Sequence, residues 1–157
     1  MIYQNLSLKN IARIMNFYPP YLGAGVRVKL TDEERRIFRV TMPLNLFNKN
    51  YVGVHFGGSL YSMVDPFFML ILMNKLGRDY IVWDKKAEIN FKRPGKGKVW
   101  ASFEISEERV LEIKKEVNLK GKLEPIFEVD IKDEENRTVA SVKKTLWVKK
   151  KIPSPKK

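Results

Sequence analysis

Residues 57–76, "GGSLYSMVDPFFMLILMNKL", form the most apolar segment of the chain, and wound as a helix they place apolar side chains on nearly every face. A helix that is hydrophobic all round must be surrounded. The segment is long enough to cross a bilayer, but Asp65 and Pro66 fall at its centre, where a charge costs about 2.5 kcal/mol or more. It is therefore expected to be the buried axis of a domain, with no stable membrane insertion. The rest of the chain has to supply the wrapping.

Much of that remainder alternates with period two. Val26, Val28 and Leu30 share one phase, and Phe38, Val40 and Met42 repeat it after the turn "TDEER". Ala87, Ile89 and Phe91 alternate with charged neighbours. Val99, Ala101, Phe103 and Ile105 follow the basic turn "RPGKGK", then Phe127, Val129 and Ile131, and finally Ala140, Val142, Leu146 and Val148. About six strands of a sheet that buries one face account for this pattern. Ser7 precedes a short amphipathic helix (Leu8, Ile11, Ala12, Met15) that "FYPP" stops. Ser106, followed by Glu107 and Glu108, starts a second one whose apolar side is Val110, Ile113 and Val117. The fold class is α+β: an antiparallel sheet of about six strands around one long central helix, plus a short N-terminal helix. A single domain over residues 1–148 with a flexible basic tail, residues 149–157, is expected.

Composition narrows the chemistry. The 157 residues include no cysteine and one histidine, which excludes disulfides, thiolate nucleophiles and thiolate zinc sites and leaves little for an imidazole-rich metal site. The start of the chain lacks a secretory pattern, so a cytoplasmic protein is expected. The net charge is +12, and the body stays basic without the five lysines of the tail, which favours an anionic partner. Nothing resembles a zinc finger or an aromatic-basic RNA motif, so nucleic acid is not expected to be that partner.

The central segment carries its own chemical clues. Gly57 and Gly58 allow close approach to the backbone, and amides in a first helical turn lack intrahelical acceptors, which suits a polarised carbonyl. Asp65, an acid inside apolar surroundings, is a candidate general base whose pKa burial would raise. Pro66 denies the Ser62 carbonyl its helical donor, so the helix is expected to bend there. Gly57 and Asp65 are eight residues apart, about 12 Å along a straight helix, too far for one reacting carbonyl to meet both. Two chains with antiparallel central helices would solve this, each giving its Gly57 amide to a site completed by the partner's Asp65.

"FGGSLYSMVDP" together with "INFKRPGKGKVWASF" resembles the DUF4442 branch of the hotdog-fold thioesterases, relatives of the PaaI-like acyl-CoA thioesterases. That resemblance implies a homodimer, with or without assembly to a tetramer, that hydrolyses acyl-CoA or acyl-pantetheine thioesters. It implies Gly57, Asp65 and Asn50 as catalytic residues, with Gly58, His55, Phe56 and Phe68 lining the substrate. Arg93, Lys96 and Lys98 would meet the coenzyme A nucleotide, which arrives as part of the substrate; no separate cofactor or metal is implied. The relatives often place histidine directly before the Gly-Gly pair, whereas here that residue is Phe56 and His55 stands one place earlier. Two alternatives stay open: a hotdog dehydratase or hydratase using His55, and a non-catalytic acyl-CoA or lipid binder.

Overall fold

The computed structural model describes residues 7–151. Helix α1 (Leu8–Met15) begins where Ser7 accepts a hydrogen bond from the Asn10 amide, and buries the four apolar residues read from its sequence. The prolines that stop α1 also start a helix absent from the sequence reading, α2 (Pro19–Ala24). Proline suits a first helical turn, because the amide it lacks would have had no intrahelical acceptor.

The strands are β1 (Arg27–Asp32), β2 (Ile37–Pro43), β3 (Tyr80–Phe91), β4 (Lys98–Phe103), β5 (Lys122–Leu123), β6 (Ile126–Lys132) and β7 (Thr138–Lys150). They form one antiparallel sheet in the order β1-β2-β4-β6-β7-β3, with the short β5 also on β7. Phe38, Val40, Val99, Ala101, Phe103, Val129, Ile131, Val142 and Leu146 alternate inward and are buried, as their period requires. β7 runs two residues into the segment expected as a tail, because Lys149 and Lys150 pair with Ile81 and Tyr80. The end of the expected tail, residues 152–157, lies outside the described residues. Helix α5 (Glu107–Lys120) starts at Ser106, whose side chain accepts from the Arg109 amide, and buries Val110, Ile113 and Val117.

The central segment departs from one continuous helix. It is divided into α3 (Gly57–Ser62) and α4 (Phe67–Leu76). Pro66 has no amide to offer, so the chain tightens before it: the Ser62 carbonyl accepts from the Asp65 amide at 3.3 Å, and the Tyr61 carbonyl from Val64 at 3.0 Å. The Asp65–Pro66 peptide is cis, and α4 resumes with the Leu70 amide on the Pro66 carbonyl. The sheet buries Leu60, Met63, Val64, Phe67, Phe68, Ile71 and Leu72. Tyr61, Asp65, Met69, Leu70 and Met73 remain half-buried. One stripe of the axis is therefore incompletely covered by its own chain.

Candidate active site

The candidate residues fall into two groups at different places along the central segment. At the start of α3 a cleft of about 470 Å³ is lined by Asn50, His55, Gly57, Leu60, Phe91 and Arg93, among others. The first backbone hydrogen bonds of the helix run from Ser59 and Leu60 to the Phe56 carbonyl, so they begin after the two glycines. Both glycines face rings: a Cβ on Gly57 would stand 2.8 Å from Phe91 Cζ, and one on Gly58 would press on the Phe56 ring, but both rings are exposed and free to swing aside. Gly57→Ala is therefore expected to change stability by less than about 1 kcal/mol, with little coupling to Phe91→Leu. Urea denaturation of the four proteins measures that coupling.

Asn50 is committed partly to its own turn: its Oδ1 accepts from the amides of Val52 at 3.1 Å and Val54 at 3.2 Å. Of the three basic residues, Arg93 lines the cleft, Lys96 is exposed beside it, and Lys98 pairs with Glu134 at 3.5 Å. Phe68 is elsewhere. It is buried, stacked on Phe127 at 5.0 Å and edge-on to Phe103, so the structure places it in the core rather than in the cleft.

The second group surrounds Asp65, on the non-helical link between α3 and α4. Its Oδ1 accepts from Lys144 Nζ at 2.6 Å, and the same ammonium reaches Asp84 Oδ1 at 2.9 Å and the Tyr61 hydroxyl at 3.1 Å. The Lys144 side chain is 2% exposed, while Asp65 and Asp84 are 41% and 27% exposed. Burial opposes the lysine's charge, but its hydrogen bonds to Asp65, Asp84 and Tyr61 prevail and hold it above its ordinary range. Asp84 is pushed up, chiefly by burial, with Lys144 opposing and the neighbouring Asp65 carboxylate adding to the rise. The Tyr21 hydroxyl donates to the Asp65 carbonyl, fixing the backbone as well. The isolated, desolvated acid expected from the sequence is thus a carboxylate paired with a buried cation.

α3 and the tight turns that close it, Val64 on Tyr61 and Asp65 on Ser62, keep Gly57 and Asp65 about 12 Å apart. The residues that attend them are likewise separated on β3: Phe91 packs at Gly57 and Asp84 belongs to the Asp65 cluster, seven positions away. Within one chain Gly57 and Asp65 do not converge.

A family model described as "Domain of unknown function (DUF4442)" matches residues 9–148. The chain belongs to the DUF4442 family. Solved structures with similar folds include a protein of unknown function from Pseudomonas aeruginosa described as a "probable thioesterase" (20% identity, 96% of this chain and 95% of that one, TM-score 0.72). Another is a thioesterase from Haemophilus influenzae (19%, 93% and 92%, TM-score 0.66). A third is the E. coli PaaI protein from the phenylacetic acid degradation operon (18%, 92% and 93%, TM-score 0.61). At these identities the likeness is one of fold, the hotdog arrangement of an antiparallel sheet around a central helix. No curated protein matches the chain.

In this DUF4442 protein His55 acts as a strut. It is 3% exposed, its Nε2 donates to the Gly97 carbonyl at 2.9 Å, and its ring packs against Gly95. Nδ1 is left as a buried acceptor without a partner. Burial lowers the pKa of the ring below its ordinary 6.5, against the opposing effect of the Gly97 carbonyl. A depressed folded value means that His55 contributes stability above pH 6.5, which is lost as pH falls through the folded value. Thermal melts at pH 7.5, 6.5 and 5.5 are therefore expected to show a smaller acid loss in His55→Gln than in the wild type.

Two members of the Asp65 cluster are absent from the sequence reading. Lys144 carries a signal: it occupies the apolar phase of β7, between Val142 and Leu146, where a lysine must find partners. Asp84 carries none, because β3 has a register irregularity between Asp84 and Lys86 that breaks the alternation before it. Among the described residues no three His, Asp or Glu side chains form a group able to hold a metal ion, and no helix is long and apolar enough to cross a membrane.

Proposed function

We propose that this protein hydrolyses acyl-CoA or acyl-pantetheine thioesters as a homodimer whose sites are each shared between two subunits. The observation that carries the reading is that Gly57 and Asp65 lie at the two ends of α3 and its closing turns, about 12 Å apart, with different partners on β3. Among the described residues β3 is an edge strand of 12 residues paired only with β7. An edge of that length is a template for a second chain. Antiparallel pairing of β3 with its own copy about a point near Ala87 and Glu88 would set the Asp84 end of one subunit beside the Phe91 end of the other. The half-buried stripe of Met69, Leu70 and Met73 supports a covering partner in the same way.

In such a site the thioester carbonyl accepts from the Gly57 amide, with Gly58, Phe56 and Asn50 around it. Asp65 from the other subunit takes a proton from water as the water oxygen bonds to the carbonyl carbon. The carbon–sulfur bond then breaks, and the thiolate receives the proton from Asp65, leaving a carboxylic acid and a thiol. Arg93 and Lys96 offer positive charge to the phosphates of the coenzyme A portion. The resemblance to thioesterases of this fold supports the substrate class. His55, held by Gly97 and buried, offers less to a dehydratase.

The test is a panel of acyl-CoAs of graded length with detection of the released thiol. Turnover of at least one member by a protein that elutes as a dimer is the expected result. Tight binding without product over long incubation would replace the hydrolase by an acyl-CoA binder, and a monomer with full activity would remove the shared site.

A further inference from the structure

We propose that Lys144 is a positioning residue for the hydrolysis proposed above: by holding Asp65, Asp84 and Tyr61 on one buried ammonium, it sets the orientation of the Asp65 carboxylate. The inference rests on that hydrolase reading and adds a residue to it. Three N–H donors meet three oxygens, at 2.6, 2.9 and 3.1 Å, so the ammonium has no freedom to serve another arrangement. Lys144 uses only Oδ1 of Asp65. The layering is also informative. The lysine is buried at the back, on the apolar phase of β7, and the two carboxylates in front of it are the partly exposed members. This is the order expected when a fixed cation holds an anion toward a reactant.

Stability alone does not account for the arrangement. A buried ion pair is often matched or bettered by apolar residues of similar volume, and Val142, Leu146 and Val148 show what this phase of β7 otherwise carries. Meanwhile the backbone of Asp65 is secured separately, by the Tyr21 hydroxyl on its carbonyl and by its own amide on Ser62. With the main chain held from α2 and α3, the remaining freedom of Asp65 is its side-chain rotation, which Lys144 removes.

The experiment measures kcat and KM on a hydrolysed thioester, with circular dichroism of each protein, for the full chain and for Lys144→Met, Lys144→Arg and Asp84→Asn. Lys144→Met is expected to lower kcat by about 10- to 100-fold with KM little changed. Lys144→Arg, which keeps the cation, should restore most of kcat, and Asp84→Asn, which leaves Lys144 on Asp65, should lower kcat less than Lys144→Met. If Lys144→Met does not fold, Lys144→Gln is read in its place, a lowered kcat at unchanged KM supporting the role and a wild-type kcat overturning it. A folded Lys144→Met with wild-type kcat overturns the role of Lys144 only, whereas a wild type inactive on the whole panel overturns the hydrolase reading and this role with it.

Discussion

On the proposed hydrolase, replacing Asp65 by asparagine is expected to reduce kcat/KM for thioester hydrolysis by about 100- to 10,000-fold while leaving the fold and the assembly state of the wild type. Asparagine keeps the size of the side chain and an oxygen for Lys144, and Asp84 and Tyr61 stay in place to hold the ammonium. No unpartnered cation is created, so the fold has little reason to suffer. What asparagine cannot do is accept the proton of an attacking water. Circular dichroism and size exclusion verify the fold and assembly, and thiol release measures the rate. A variant with wild-type turnover would remove Asp65 from the chemistry and leave its pair with Lys144 a purely structural contact. Mixing Asp65→Asn subunits with Gly57→Val subunits adds a sharper test of the shared site. Each variant alone should be inactive, and a mixed dimer should recover one intact site from the two unaltered halves.

Much of the fold was legible because a sheet burying one face writes period two into the sequence. Val28, Phe38, Val40, Val99, Phe103 and Val129 all face inward as their phase requires. Ser7 and Ser106 announced their helices through the hydrogen bonds they accept. Legibility failed where one residue serves two purposes. Pro19 and Pro20 end one helix and begin another, and the reading took only the first meaning. Pro66 predicts a bend, and the lost donor goes further and divides the segment into two helices with four residues between them. At the site, the helical spacing separates Gly57 from Asp65, and α3 with its closing turns keeps that separation in the structure. The partners of Asp65 were harder to read, since they come from β3 and β7, far along the chain, and only the inward phase of Lys144 betrayed one of them. Burial was likewise overestimated for Asp65, because sequence shows apolar neighbours but not which side of the link faces out.

The break at Pro66 makes Phe67 the residue on which the second half of the axis depends, and Phe67→Ala is expected to destabilise the protein by about 3–5 kcal/mol. Phe67 is the first residue of α4, fully buried, with ring centroids 4.8 Å from Phe103, 5.6 Å from Phe38 and 6.3 Å from Tyr21. It thereby ties β4, β2 and α2 to one point on the axis. Truncation removes the buried ring and leaves a cavity whose walls are strands already paired on both sides, which limits how far they can collapse. For a chain of this size the melting temperature should fall by on the order of ten degrees, read by thermal or urea denaturation. Phe67→Leu, which keeps more of the volume, should cost less. The effect should also reach the site. Asp65 stands two residues before Phe67 and its carbonyl is held by Tyr21, one of the rings that packs on Phe67. With that ring gone, Tyr21 loses a wall and the link loses the anchor on its C-terminal side. Turnover per folded molecule is therefore expected to drop along with stability, whereas Ile113→Ala, a core change on α5 outside the Asp65 cluster, should lower stability with turnover per folded molecule preserved. Equal effects of the two substitutions on turnover would mean that the geometry of Asp65 is set by Lys144 alone and owes nothing to the packing beneath the break.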